Sequence, residues 1–408
     1  MNFKNLINNY KGLPREIYIL FVGKIVNSIG AFVYPLMSLI LTQKIGMSAT
    51  QAGELVTTLA IFQVPCIVFG GKLADTIGRR KVIILFQLLG AVTLILCGFI
   101  NPSILTAKMM IAASCFYSLS TASYDALSAD LTNKSNRKTS YSLLYMGTNI
   151  GFAVGPIIAG FLYKNYLPLI FIGDAITTLI SLLLFILFVK EPDKDQIKKE
   201  TQQNYLEKET EGSVIKLLIE RPILIIFPFI LFLFQFTYCQ WGFAVPLQMG
   251  KLYGADGAKI YGFLGAFNGL IVILSTPLLT VYTKKYNALK IMATGGVLYS
   301  ICFLIISMFN NISFIFLAIL SLTIGEVLIA INSSTFIANN TPSSHRGRVS
   351  SFMPLISGTG YAIGPLIMGN IIDNRGIYTG WMVIISVSFL GSVLMYVLSL
   401  IRKSKVTN

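Results

Sequence analysis

A chain of 408 residues that is 54% hydrophobic and only 12% charged is not an ordinary soluble globule, which carries about 25% charged residues. A net charge of +15 would suit nucleic acid if the cations shared one solvated face, but 25 of the 32 Lys and Arg fall in segments that alternate to one side of a series of apolar runs. That asymmetry predicts a multi-pass cell-membrane protein with both termini in the cytoplasm, its basic excess meeting anionic lipid and not nucleic acid.

Six cations lie on the other side (Lys44, Lys108, Lys164, Lys251, Lys259 and Arg375), and Lys24 falls within the first run. The first apolar run is too long for a cleaved leader. Cys66, Cys97, Cys115, Cys239 and Cys302 all sit in apolar runs without metal-ligand spacing. They read as small packing residues, with neither disulfides, metal nor cofactor expected. No Walker-type loop and no nucleophile–base pair is present, so no enzyme is expected. Usage rich in Ile, Asn and Lys hints at a bacterial source.

Twelve apolar spans can be drawn, at roughly 17–42, 48–70, 81–100, 105–130, 139–163, 167–189, 222–247, 257–282, 289–309, 313–338, 348–372 and 378–401. Lys190 to Arg221 is the long hydrophilic stretch and reads as a cytoplasmic linker. It divides the chain into an N-terminal half, 1–189, and a C-terminal half, 222–408.

Between the second and third spans lies Gly70-Gly71-Lys72-Leu73-Ala74-Asp75-Thr76-Ile77-Gly78-Arg79-Arg80-Lys81. Cytoplasmic placement accounts for the cations, though not for the glycines or Asp75. Gly70 and Gly71 would let another helix approach closely. Asp75 offers a fixed negative charge to a helix N-terminus or an arginine. The pattern resembles the signature between the second and third helices of the major facilitator superfamily of transporters. The resemblance implies an all-α membrane protein of twelve transmembrane helices in two pseudo-symmetric six-helix halves, with a binding site where the halves meet.

An internal repeat supports the duplication. Ala129-Asp130, Arg137, Gly151, Gly155-Pro156 and Gly160 match Ala338-Asn339, Arg346, Gly360, Gly364-Pro365 and Gly369, each pair 209 positions apart, and Lys81 matches Lys290. In the second copy of the opening motif Lys284 replaces Asp75, so a latch using that carboxylate would work in one half. Within the fifth span, Gly151, Gly155, Pro156, Ala159 and Gly160 resemble the glycine–proline motif of drug/proton antiporters. Small residues at this spacing make a flat face for close helix crossing, and Pro156 removes a backbone donor.

Glu326 lies about 13 residues from Asn339, which at ~1.5 Å per residue places it roughly 20 Å into its helix, near the midplane. A carboxylate there costs several kcal/mol unless protonated, paired or facing water, so Glu326 is expected to exchange protons. The resemblance adds that related antiporters use a tenth-helix acid for proton coupling and for binding cationic drugs. Asp125, about 8 Å deeper than Asp130 if helical, is a second candidate for proton coupling. Lys24 sits at comparable depth, either pairing with Asp125 or snorkelling to the surface. Asp174 reads as a structural partner. Tyr117 stands where the superfamily's fourth-helix arginine would be expected.

Asp75, Asp130 and Arg137 are expected to form a charge latch, with Asp75 near the N-terminus of the eleventh helix. Gly71, Gly78, Arg79 and Arg80 complete the gating motif. Cavity-facing residues expected to meet substrate are Asn27, Tyr34, Tyr145, Asn149, Gln235, Tyr238, Trp241, Asn268, Glu326, Asn332 and Tyr361. Aromatic walls with few hydrogen-bonding groups suit amphipathic or cationic ligands. His345, beside Arg346, is expected to be exposed.

The expected partners are a small-molecule substrate, protons and membrane lipid, with the chain acting as a monomer. The function read from these features is proton-coupled export of hydrophobic or cationic small molecules. Alternatives are proton-coupled uptake of a small nutrient or peptide, and a lipid or glycolipid flippase. The first span lacks the E-x-x-E-R pattern of proton/peptide symporters.

Overall fold

A computed structural model describes residues 10–133, 136–190, 222–283, 285–340 and 346–407. The linker expected at 190–221 lies almost wholly outside these residues, as does His345. Every regular element among the described residues is helical. In chain order they are α1 (Arg15–Ile29), α2 (Val33–Leu39), a π-helical turn (Ile40–Lys44), α3 (Ala49–Ile77), α4 (Arg79–Phe99), α5 (Ile104–Asp130), α6 (Arg137–Tyr163), α7 (Leu167–Phe188) and α8 (Ile223–Tyr238). They continue with α9 (Ala244–Tyr253), α10 (Gly257–Thr283), α11 (Ala288–Met308), α12 (Ile312–Asn340) and α13 (Arg346–Thr407).

Among the described residues, ten helical runs are long and apolar enough to cross a bilayer, where the sequence predicts twelve. The difference arises at two junctions. Ile223–Thr283 spans 61 residues and Leu355–Ile401 spans 47, each beyond the length of one crossing. In the first, 3₁₀ turns at Cys239–Trp241 and Gly254–Asp256 carry the chain from α8 through α9 to α10. In the second, Gly376 adopts φ 82°, ψ 159° inside α13, a conformation open to glycine that redirects the chain without a loop.

The chain forms two compact units. The first comprises the described residues of Met1–Gly46, Thr58–Asn204 and Met249–Ala266; the second, those of Met47–Thr57, Tyr205–Gln248 and Phe267–Asn408. The leading turns of α3 therefore pack with the second unit, and those of α10 with the first.

In the first unit a cluster of Leu13, Ile17, Leu20, Ile83, Leu127 and Phe185 ties α1, α4, α5 and α7 together. Lipid is as apolar as these side chains, so close contact and hydrogen bonding hold the helices, with little hydrophobic drive between them. Gly70 of α3 meets the backbone of α5 directly: an added Cβ would collide with the Leu119 carbonyl. The break between α1 and α2 is stabilised by Asp174, whose Oδ2 accepts from the N–H groups of Phe32 (3.1 Å) and Val33 (3.2 Å). In the second unit Gln248 donates to the Ile306 carbonyl (3.0 Å) and accepts from the Trp381 indole. Large side chains such as Phe99, Leu278 and Val281 stay exposed, as lipid-facing positions require.

Candidate functional site

Glu326 sits on α12 inside the second unit, half-buried. Its Oε2 accepts a hydrogen bond from Asn268 Nδ2 of α10 (3.2 Å), and the same amide donates to Thr323 Oγ1 (2.8 Å). Tyr238, at the end of α8, is also hydrogen-bonded to the Glu326 side chain. Tyr299 stacks on Tyr238 with ring centres 6.0 Å apart. The pocket exists because α11 and α12 cross without side chains between them: a Cβ on Gly325 would lie 2.7 Å from the Gly295 carbonyl oxygen. Glu326 thus has neutral partners, and no described Lys or Arg forms an ion pair with it. In a membrane interior such a carboxyl is compensated by a proton or by a cation that arrives.

The first unit has an open-sided cavity of about 330 Å³ lined by α1, α2, α3, α4, α5 and α7, with Asp125 and Tyr34 exposed at it. Asn27, Tyr34, Lys24, Asp125 and Asp174 all reach it. Lys24 neither pairs directly with Asp125 nor snorkels away; its Nζ lies 5.6 Å from the centre of the Tyr124 ring. Tyr117 also lines the cavity, packed so closely that a Cβ on Gly90 would overlap its ring.

In the polar motif the structure separates what the sequence grouped. Gly78 has φ 99° and makes the turn between α3 and α4. Arg79 forms an ion pair with Asp130 and donates to the Ala126 carbonyl (3.0 Å). Arg80 donates to the Ile186 carbonyl (2.7 Å), tying α4 to α7. Arg137 does not pair with Asp130. It donates to the carbonyls of Ala129 and Thr132 (both 3.1 Å), where α5 ends and unpaired carbonyls favour a cation. Asp75 is exposed, and the segment just before the eleventh span, its expected partner, falls partly at 341–345, outside the described residues. Gly71, expected to allow a close approach, makes only an ordinary contact: its Cβ would stand 3.5 Å from Ala122 Cβ.

The glycine–proline segment of α6 does two jobs. Gly151 and Gly155 lie against Ser28 and Ile29 of α1, with a Gly155 Cβ only 2.6 Å from the Ile29 carbonyl oxygen. One turn on, the Pro156 carbonyl is met by Gly262, and a Gly160 Cβ would stand 2.7 Å from the Ala258 carbonyl oxygen, both on α10. The second unit repeats this arrangement with every residue shifted by 209: Gly53 meets Pro365, and Gly369 meets Ala49.

A model of the Major Facilitator Superfamily matches residues 20–332 and 242–408. The chain belongs to that superfamily. It is therefore a transporter and not an enzyme. Among its superfamily relatives, an uncharacterised MFS-type transporter of Bacillus subtilis, YttB, is 25% identical over 370 residues, covering 90% of each chain. A sodium, lithium, potassium/proton antiporter of Planococcus maritimus is 23% identical over 434 residues, covering 98% of this chain and 99% of that one. Multidrug resistance protein 1 of Bacillus subtilis is 27% identical over 158 residues, 38% of this chain and 40% of the relative. Among solved structures, a peptide transporter POT superposes with a TM-score of 0.73 at 14% identity (95% of each chain), and the nucleoside transporter NupG with 0.75 at 13% identity (94% of this chain, all of that one). At these identities the structures speak to the superfamily fold.

Other residues expected to contact substrate in this superfamily member are dispersed. Tyr145 is 65% exposed on α6, and Asn149 donates to the Tyr145 carbonyl (2.8 Å). Asn332 is buried and donates to the Leu328 carbonyl of its own helix (2.8 Å). Tyr361 lies close enough to Tyr238 to interact electrostatically; Gln235 is half-buried on α8, and Trp241 occupies the 3₁₀ turn. Sequence reasoning missed Thr323 and Tyr299 beside Glu326, and Gln63, Gln87, Ser114 and Ser120 around the first cavity. The serines at 114, 118, 120, 123 and 128 gave a signal, since α5 is unusually polar for a crossing helix.

Proposed function

We propose that the chain is a secondary transporter that exports a hydrophobic or cationic small molecule in exchange for protons by alternating access. The observation that carries this reading is the set of neutral partners around Glu326. A proton and a substrate cation each neutralise the carboxylate, so each displaces the other, which is the minimum requirement for antiport. Asp125 is a second protonatable group, in the first unit. Tyr238 and Asn268 contact the substrate alongside Glu326, with Gln235, Trp241, Asn332 and Tyr361 completing the wall. Asn27, Tyr34, Tyr145 and Asn149 serve from the first unit.

In this reading twelve crossings form six-helix halves at 1–189 and 222–408, both termini are cytoplasmic, and a monomer suffices. Gly71, Asp75, Gly78, Arg79, Arg80, Asp130, Arg137, Gly151, Gly155 and Pro156 serve the gating motions.

A second reading, exchange of alkali cations for protons, is favoured by the similarity to the Planococcus antiporter across 98% of this chain. Reconstitution tests both. In proteoliposomes with a pH-sensitive interior dye, an imposed gradient of ethidium, sodium or potassium is expected to drive proton movement. Glu326→Gln is expected to lower that coupled flux at least tenfold while the protein still folds. Undiminished coupling in the variant removes Glu326 from the mechanism.

A further inference from the structure

The cavity of the first unit holds a cation and a carboxylate that do not neutralise each other at contact distance. Lys24 enters from α1 and Asp125 from α5, and both line the space of about 330 Å³. The ion pairs of the described residues are Arg79 with Asp130 and Lys164 with Asp256, so Lys24 and Asp125 are not in direct contact. Lys24 rests over the Tyr124 ring, which steadies an ammonium without cancelling its charge.

Several other polar groups around the space are already committed. Asn27 Oδ1 accepts from Thr178 Oγ1 (3.0 Å), and Gln87 Nε2 donates to Ser120 Oγ (2.7 Å). Asp174 caps α2 through its Oδ2. Lys24 and Asp125 are left as the two poles. Leu94, Met110 and Phe185 add apolar surface to the lining.

We propose that this cavity is a subsite for a zwitterionic head group, with Lys24 receiving the ligand's carboxylate and Asp125 its ammonium. The proposal rests on the transporter reading above and narrows its substrate to a cation that also carries a carboxylate. A purely cationic ligand gains Asp125 and is repelled by Lys24; a purely anionic one meets the reverse. A molecule carrying both charges a few bonds apart satisfies both poles and leaves the cavity's balance unchanged. The volume lies at the small end of ligand sites, which suits an amino-acid-sized body.

The test is equilibrium binding of radiolabelled tryptophan to the full-length protein in nanodiscs. Tryptophan methyl ester supplies a cation and N-acetyltryptophan an anion of nearly the same shape. Both are expected to compete at least tenfold more weakly than unlabelled tryptophan. Lys24→Gln and Asp125→Asn are each expected to weaken tryptophan binding at least tenfold and erase the preference, while Lys24→Arg retains it. Thermal unfolding identifies any variant that fails to fold, and the wild-type ratio of ester to tryptophan then decides alone.

Equal competition by the three compounds, no tryptophan binding, or an intact preference in Lys24→Gln overturns the proposal. The two readings fail separately. Coupled ethidium and proton movement without a zwitterion preference sinks this inference alone. A zwitterion preference in a protein that moves no protons with any cation sinks the exchange reading alone.

Discussion

Gly53 and Pro365 cross so closely that no side-chain carbon fits between them, and 209 positions away Gly262 does the same to Pro156. In both cases the obstacle is a backbone carbonyl, which cannot swing aside as a side chain does. The duplication has therefore preserved a contact as well as a pattern of residues.

Gly53→Leu and Gly262→Leu are each expected to lower thermal stability by about 1–3 kcal/mol and to reduce transport. Gly70→Ala, facing the Leu119 carbonyl, is expected to behave likewise, whereas Gly71→Ala is tolerated because its Cβ has room at 3.5 Å from Ala122. Melting temperatures of the four variants check the ordering. A benign Gly70→Ala beside a damaging Gly71→Ala would contradict the packing.

The ion pair of Arg79 with Asp130 is partly buried, with side chains 27% and 12% exposed. Asp130→Asn leaves Arg79 facing only the Ala126 carbonyl and is expected to cost about 1–2 kcal/mol, between the surface and buried limits. A double-mutant cycle with Arg79→Gln is expected to show coupling between these positions. Replacing Arg137 should show none with Asp130, because Arg137 bonds carbonyls instead.

Asp373 lies in the turn between two apolar runs and caps α3, accepting from the N–H groups of Thr50 (2.7 Å) and Ala49 (3.1 Å). Partial burial pushes its carboxyl up, but bonds from Thr50, Ser48 and Ala49 outweigh that and hold it below its usual range. A depressed carboxyl stabilises the fold above its unfolded value, about 3.9, and loses that contribution as pH falls through the lower folded value. Asp373→Asn is thus expected to cost about 0.5–1 kcal/mol from pH 8 down to 5, the low end for a cap because the site is exposed. The difference should vanish in strong acid. Thermal unfolding of both proteins across that pH range checks it, and a gap that widens on acidification would contradict the cap.

Cys66 and Cys115 are both partly buried and their side chains lie near enough to interact, one turn before the Gly70–Leu119 crossing. Treatment with copper phenanthroline is expected to join them within one chain, removing two of the five thiols. Intact mass and maleimide counting read this directly. Cross-linking between chains, or five surviving thiols, would show that α3 and α5 are not so placed.

Much of this arrangement was legible in the residues. Glu326, Asn268 and Tyr238 were each polar intruders in an apolar run, and a low-dielectric interior brings such groups together. Periodicity identifies the buried face of a helix but not the partner across it, which is why Arg79 rather than Arg137 took Asp130. Disulfides were not expected from spacing, and the Cys66–Cys115 contact depends on a helix crossing that spacing does not encode. The span boundaries drawn at 247–257 and 372–378 rest on short polar stretches, and there the chain turns through two 3₁₀ turns and Gly376 with its helical run barely interrupted. Gly53 and Gly262 carried a readable signal, since they share the 209-residue offset of the proline motif.

The central claim is that a proton and a substrate cation compete for Glu326. Adding ethidium to the purified protein in weakly buffered detergent at neutral pH, and following the pH of the solution, measures that competition directly. Proton release from the wild type that saturates with ethidium binding, and its loss in Glu326→Gln, is the result expected. Ethidium binding by the wild type with no proton released, or equal release from the variant, would contradict it.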